Sequence, residues 1–333
     1  MAAHHPIRIG MIGHGMMGVW HSRNLDGLEA VPHTVVGRRA EPTEAFAEEH
    51  GYARATTDLD AMLADPKVDA VVVGSPSEAH VEHSLAAIAA KKHVLIEIPI
   101  AMDLAGAERV AEAARRSDRV VAVCHPWRHR PELVALKERL DAGEERLGFV
   151  EGRFLIHRLE NVGSTGYRRS WTDSILWHHA AHLVDLGCWL LGPDLQASGW
   201  LAPVDGRTGT PMATSITLER GDGTSAHLLL TYLSHLKHNE ATATTDRDSY
   251  RIDIPNALLT TSAGSRAIES EQENCRHVLA DFVAACRTSS RPRVTPADVV
   301  PCMRALQVVQ DAWDARHGAR SLPGRDVDRL GRS

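Results

Sequence analysis

The stretch 7-IRIGMIGHGMMG-18 decides how the rest of the chain is read. An apolar run of strand character, Ile7 to Ile12, leads straight into Gly13, Gly15 and Gly18 in the spacing G-x-G-x-x-G, and a helical pattern starts behind them. The first glycine of such a turn permits the change of direction. The second lets backbone approach a pyrophosphate, and the third lets helix and strand pack closely. The helix then offers unpaired N–H groups and the positive end of its dipole to the phosphates. Gly13, His14, Gly15, Met16, Met17 and Gly18 are therefore the expected dinucleotide cradle, with a ligand-free glycine turn as the alternative.

Working outward, apolar runs at 33–38, 68–76, 93–99 and 120–126 alternate with helical patterns at 16–28, 41–51, 59–65, 78–92 and 104–117. The runs are continuous and not alternating, as in a parallel sheet covered on both faces. This predicts an N-terminal Rossmann domain over residues 1–125. Beyond it come helical patterns at 131–142, 174–191, 272–288 and 297–317, with β-rich runs at 148–158, 213–235 and 249–270. Gly221–Asp222–Gly223 between two such runs is a hairpin signal. The fold class is α/β: a Rossmann parallel sheet, then a C-terminal α+β domain over 126–333 with an open, mostly antiparallel sheet.

Composition narrows the function. A chain of 333 residues with 43% hydrophobic and 24% charged residues can bury two cores. Its net charge of −6 and lack of a basic run argue against nucleic acid. The five cysteines are scattered without a CxxC, so neither a zinc ribbon nor a disulfide framework is expected. No run approaches the ~18–20 apolar residues of a membrane span, and the N-terminus lacks a signal-peptide pattern. A cytoplasmic location is expected.

The end of the second strand reads Gly37–Arg38–Arg39, where NAD sites usually keep a carboxylate for the ribose. Arginine can instead grip a 2′-phosphate with two hydrogen bonds. NADP is thus the expected cofactor; Glu41 and Glu44 nearby keep NAD open. Ser75, Pro76 and His80, with Glu97 and Pro99, follow strands at the carboxyl edge of the sheet, and are expected on the nicotinamide side.

In 174-SILWHHAAHLVDLG-187, a continuous helix would place His178, His182, Asp185 and Trp189 on one stripe, with His179 about a quarter-turn away. His182 is the expected general base, Asp185 its orienting group and His178 its partner. The pair His178/His182 lacks a third ligand and the H-E-x-x-H pattern, so no metal is expected; packing or structural hydrogen bonding alone, in a helix carrying Trp177, Leu183, Val184 and Leu186, is the alternative to proton transfer.

The order of G-x-G-x-x-G, S-P…H (Ser75, Pro76, His80), H-V-x-x-E-x-P (His93 to Pro99) and H-x-x-D (His182 to Asp185) resembles the Gfo/Idh/MocA oxidoreductase family along nearly the whole chain. The resemblance implies oxidation or reduction of a carbinol with NAD(P), and a homodimer or homotetramer formed through the open sheet. Two positions depart from the family pattern. Ile98 stands where E-K-P has its lysine. In D-x-G-x-H, His178 and Ala180 replace aspartate and glycine, while His182 is kept. The stretches "IEIPIA" and "RSWTDSILWHHAAHLVDL" resemble a subgroup that oxidises the cyclic hemiacetal of an aromatic ring-cleavage product to a pyrone dicarboxylate. A hemiacetal hydroxyl is more acidic than a sugar alcohol, so a neutral histidine of pKa about 6.5 suffices as base without lysine. The dicarboxylate calls for cations, so Arg128, Arg168 and Arg169 are expected carboxylate binders. Trp171, His179 and Asn161 are expected to line the pocket, with His125 and Arg158 as further candidates. Two alternatives stand beside this reading: dehydrogenation of a sugar or cyclitol, and an NADP-binding regulator without turnover.

Overall fold

The apolar runs of the first third become strands with buried side chains: β4 and β5 are buried at every position. The structure is a computed structural model describing residues 5–162, 171 and 173–318. In chain order it contains β1 (Ile7–Ile12), α1 (Met16–Asn24), β2 (Ala30–Val36), α2 (Ala40–His50), β3 (Arg54–Thr56), α3 (Leu59–Ala64), β4 (Ala70–Val73), α4 (His80–Ala89), β5 (His93–Ile96), α5 (Leu104–Arg116) and β6 (Val121–Val123). Then follow α6 (Pro131–Asp141), β7 (Leu147–His157), α7 (Ser174–Trp177), α8 (His179–Leu191), β8 (Leu195–Leu201), β9 (Ala213–Arg220), β10 (Ser225–Thr231), β11 (Leu233–Thr245), β12 (Ser249–Asp253), β13 (Leu258–Thr261), β14 (Gly264–Ala267), α9 (Glu271–Thr288) and α10 (Pro296–His317).

The first sheet has the order β3-β2-β1-β4-β5-β6, every pair parallel. That is the Rossmann order, in which ligands bind beyond the carboxyl ends of the strands where the winding reverses, here between β1 and β4. Ile9, Met11, Val35, Val72 and Leu95 form its core, and Val278, Leu279, Phe282 and Val283 of α9 pack into the same cluster. The division into units therefore differs from the sequence expectation. The first compact unit takes residues 274–300 in addition to the N-terminal 126, and the second takes the described residues of 127–162, 168–273 and 301–318. An amphipathic helix carries no mark of which core will receive its apolar face.

The second unit is built on an eight-stranded sheet in the order β14-β13-β12-β11-β7-β10-β9-β8. Its pairs are antiparallel except for β7 with β10. The hairpin at Gly221–Gly223 joins β9 to β10 as expected, with Gly223 at φ +90. Burial alternates along β9 and β10, so one face of this sheet is covered. The cover is α8, whose Ala180, Leu183, Val184 and Leu191 are fully buried. The approach is close: a Cβ on Gly187 of α8 would lie 2.8 Å from Leu218 and 3.4 Å from Ala226, and one on Gly152 of β7 would lie 2.8 Å from Leu228 and 3.3 Å from Leu183. The expected continuous helix over 174–191 is two pieces, because His178 adopts φ −86, ψ −86 at the joint of α7 and α8. Among the described residues no helix is long and apolar enough to cross a membrane.

Gly187→Ala is expected to destabilise the protein by about 1–3 kcal/mol through overpacking against Leu218, read as a lower urea midpoint. Gly206→Ala, where a Cβ meets nothing within 4 Å, should shift it by no more than about 0.5 kcal/mol.

Candidate active site

In the first unit the glycine turn divides its labour as the spacing implies. Gly13 has φ +97, and a Cβ there would lie 2.6 Å from the Gly74 carbonyl oxygen at the end of β4. A Cβ on Gly18 would lie 2.6 Å from the Gly13 carbonyl oxygen. Gly15 is different, since its Cβ would meet nothing within 4 Å. Gly15 is also the N-cap of α1, which has no side-chain cap and no acidic residue in its first turn. Open space in front of uncapped helix N–H groups fits a pyrophosphate, and Gly13 to Gly18 are the residues that would hold it.

Arg38 and Arg39 are exposed directly beyond β2. A side chain at Gly37 would require Thr43 and His14 to move: its Cβ would lie 2.2 Å from Thr43 Oγ1 and 2.4 Å from the His14 ring. Burial pushes the His14 pKa down; its own backbone hydrogen bond opposes this, and the charges of Arg39 and Arg38 lower it further. His14 is therefore a neutral ring beside two cations.

The carboxyl ends of β4 and β5 are braced from within. His80 is buried, with Nδ1 2.7 Å from the Pro99 carbonyl oxygen and Nε2 2.8 Å from that of Ser75. His83, which the sequence reading missed, places Nδ1 2.9 Å from Ser75 Oγ. Glu97 is buried and its Oε1 lies 2.5 Å from His21 Nε2. Desolvation pushes the Glu97 carboxyl pKa up, but the His21 hydrogen bond and charge outweigh it and the net direction is down. His80 and Glu97, expected to meet the cofactor, thus have partners inside the unit. Cys124 joins His21 and Glu97 in a buried group whose ligand atoms lie within 4.8 Å of one another. The histidine–glutamate contact of 2.5 Å is shorter than the roughly 3.3 Å separating two ligands of a tetrahedral ion, and burial keeps the thiol protonated. The group reads as a buried acid–histidine pair.

The second unit assembles the histidines with aromatic and cationic groups. His178 Nδ1 is 2.7 Å from Asp173 Oδ2. His179 Nδ1 is 2.5 Å from the Tyr232 hydroxyl, and its ring stacks on Phe154 at 4.1 Å. Ring centroids are 4.2 Å apart for His178 and His179, and 6.4 Å for His179 and His182. The Arg158 guanidinium lies 5.9 Å from the Trp171 ring centre and 5.8 Å from that of Tyr232, and Nη2 donates to Asn161 Oδ1 at 2.5 Å. Asn161, Trp171, His178, His179 and His182 therefore lie in one cluster, with Arg158 among them. Tyr232 and Phe154 are additions. Tyr232 is 1% exposed, and its one sequence signal is a polar-tipped aromatic closing the alternating run of β10.

Arg128 departs from the expectation. It donates from Nε and Nη2 to the two carboxylate oxygens of Asp185 at 2.8 and 2.6 Å, with both side chains buried. Asp185 sits on the covered face of α8 at 0% exposure, where an ionised carboxylate needs a bonded counter-charge. The pair is a structural clamp, and Arg158 takes the place beside the histidines. Arg168 and Arg169 lie outside the described residues.

Residues 7–125 match the family model described as oxidoreductase family, NAD-binding Rossmann fold, and residues 131–243 match that of the bacterial oxidoreductase C-terminal domain. The chain belongs to the Gfo/Idh/MocA oxidoreductases, and it is an enzyme, an NAD(P)-dependent dehydrogenase acting on CH–OH groups. Among curated relatives it is 31% identical to the 4-carboxy-2-hydroxymuconate-6-semialdehyde dehydrogenase of Sphingobium sp. (strain NBRC 103272 / SYK-6), over 90% of this chain and 96% of that protein. It is 35% identical to the inositol 2-dehydrogenase of Acidothermus cellulolyticus over 59% of this chain and 57% of that one. A levoglucosan dehydrogenase solved with NADH and levoglucosan superposes with a TM-score of 0.81 at 17% identity, over 92% of this chain and 96% of that one, which is a likeness of fold.

The Glu97 carboxyl, depressed in the folded state, contributes stability that is present above the ordinary glutamate pKa of about 4.3 and is lost as pH falls through the folded value. Urea midpoints taken from about pH 7 to about pH 3 are expected to fall more steeply for the wild type than for Glu97→Gln.

Proposed function

We propose that the chain oxidises the ring-closed hemiacetal of 4-carboxy-2-hydroxymuconate-6-semialdehyde to 2-pyrone-4,6-dicarboxylate, with NADP as the acceptor. The carrying observation is the grouping of His178, His179 and His182 with Arg158, Trp171 and Tyr232 in the second unit, in a chain with Ile98 at the usual lysine position. The 31% identity to a dehydrogenase of that substrate supports it.

The first unit would hold the dinucleotide at Gly13–Gly18, with Arg38 and Arg39 on the 2′-phosphate. NADP, when bound, supplies the hydride acceptor. The chain's own task is the substrate. A guanidinium flanked by two aromatic rings suits a planar ring bearing carboxylates, since arginine both stacks and donates two parallel hydrogen bonds. Arg158 takes that role, and Arg168 and Arg169 are kept as further carboxylate binders from the sequence. His178 and His182 hold the reacting hydroxyl, and one histidine of this pair takes its proton. The enzyme is proposed to work in the cytoplasm as a homodimer or homotetramer, a reading supported by the exposed apolar side chains Trp200, Leu229 and Leu233 on the second sheet. Oxidation of a cyclitol is the second reading, favoured by the inositol 2-dehydrogenase relative.

The test is reduced-nicotinamide absorbance with NADP or NAD, using freshly made protocatechuate 4,5-cleavage product on one side and inositol on the other. Reduction with the cleavage product and appearance of the pyrone is expected. Reduction with inositol alone selects the second reading, and neither selects a regulator. Arg158→Leu is expected to raise KM for the dicarboxylate by about 10–100-fold, the worth of about 1.5–3 kcal/mol in charged hydrogen bonds, while NADP affinity stays unchanged. Arg38→Ala with Arg39→Ala should weaken NADP by roughly 10-fold or more and NAD by much less.

A further inference from the structure

We propose that Asp173 is a positioning residue that fixes His178 in the tautomer leaving Nε2 to take the substrate hydroxyl proton, so that His178 is the base of the cluster. This rests on the dehydrogenase reading above and sharpens it.

The argument begins with the contact. Asp173 is 3% exposed, and its Oδ2 lies 2.7 Å from His178 Nδ1. An ionised carboxylate only accepts hydrogen bonds, so Nδ1 carries the proton. A neutral imidazole has one N–H, which puts the lone pair on Nε2.

The backbone is shaped for this contact. Residues five apart on a regular helix stand about 140° from each other around the axis, so positions 173 and 178 would not meet across an unbroken turn. Two irregularities bring them together: Ser174 at φ +40, and His178 at φ −86, ψ −86 between α7 and α8. A non-glycine residue in the left-handed region costs on the order of a kcal/mol or more and persists only where its surroundings hold it, which is common at active sites.

The neighbours favour His178 over His179. His179 is engaged by the Tyr232 hydroxyl and stacked on Phe154. In the reaction the hydroxyl O–H bond breaks as the carbinol C–H electron pair leaves as hydride for the nicotinamide dinucleotide. The C–O bond becomes C=O, and the proton passes to His178 Nε2. Asp173 remains ionised and compensates the imidazolium at Nδ1.

The experiment uses the full chain and four variants, Asp173→Asn, Asp173→Glu, His178→Gln and His182→Gln, with two readouts. Nitrogen NMR of histidine-labelled protein without cofactor reports the tautomer. The wild type should show a fixed Nδ1–H histidine that disappears in His178→Gln and shifts toward the Nε2–H form in Asp173→Asn. Steady-state assays should give a kcat loss of about 10²–10⁴-fold in Asp173→Asn with KM close to wild type, and partial recovery in Asp173→Glu. The proposal is overturned by an unchanged tautomer in Asp173→Asn, by near-normal kcat in that variant, or by a larger kcat loss in His182→Gln than in His178→Gln. Equal losses in Asp173→Asn and Asp173→Glu with lowered unfolding midpoints also overturn it, since they assign Asp173 to the fold alone. A wild type inactive on the hemiacetal sinks the dehydrogenase reading instead, and the tautomer measurement still judges the pair.

Discussion

A carboxylate taken out of water must find a bonded hydrogen-bond donor, and that constraint organises both units. Glu97, Asp173 and Asp185 are all buried. Glu97 meets His21, Asp173 meets His178, and Asp185 meets Arg128. Removing one partner of such a pair typically costs about 3–5 kcal/mol, because the other charge is left behind without compensation. The partner's chemistry then separates scaffold from reactivity. Arginine stays charged at every working pH and can only hold. Histidine exchanges a proton near neutrality, so a carboxylate aimed at histidine can also shape a reaction.

The same distinction explains what the sequence could and could not reveal. The nucleotide-binding half was legible because its signals are local: glycines at fixed spacing behind a strand, and apolar runs without alternation. The edge strand β3 has three residues, too few to show a period. The histidine cluster was legible as residue types, but its wiring was not. Arg128 and Arg158 look alike in one dimension, and the partner of each is set by contacts such as the one 57 residues away on Asp185. The break at His178 was hidden too, because neither "SILW" nor "HAAH" contains a glycine or proline to announce it.

Cofactor selectivity shows a related effect. Gly37 was first read as the absence of an acid. The structure adds that His14 and Thr43 fill the space a side chain would need. Introducing a carboxylate there is a packing problem before it is an electrostatic one, and the next two positions are exposed arginines.

The contribution of α9 to the first core has a consequence for how the protein is made. Val278, Leu279 and Phe282 complete a cluster begun by Ile9 and Met11. During synthesis the N-terminal 126 residues emerge roughly 150 residues ahead of that helix, an interval of about 7–30 s at ribosomal speeds. Throughout that time the parallel sheet lacks part of its apolar cover. A nascent chain of this design closes an early core only when a late segment arrives. A genetic fusion that borrows only the N-terminal 126 residues as a nucleotide-binding module would carry the same unfinished surface permanently.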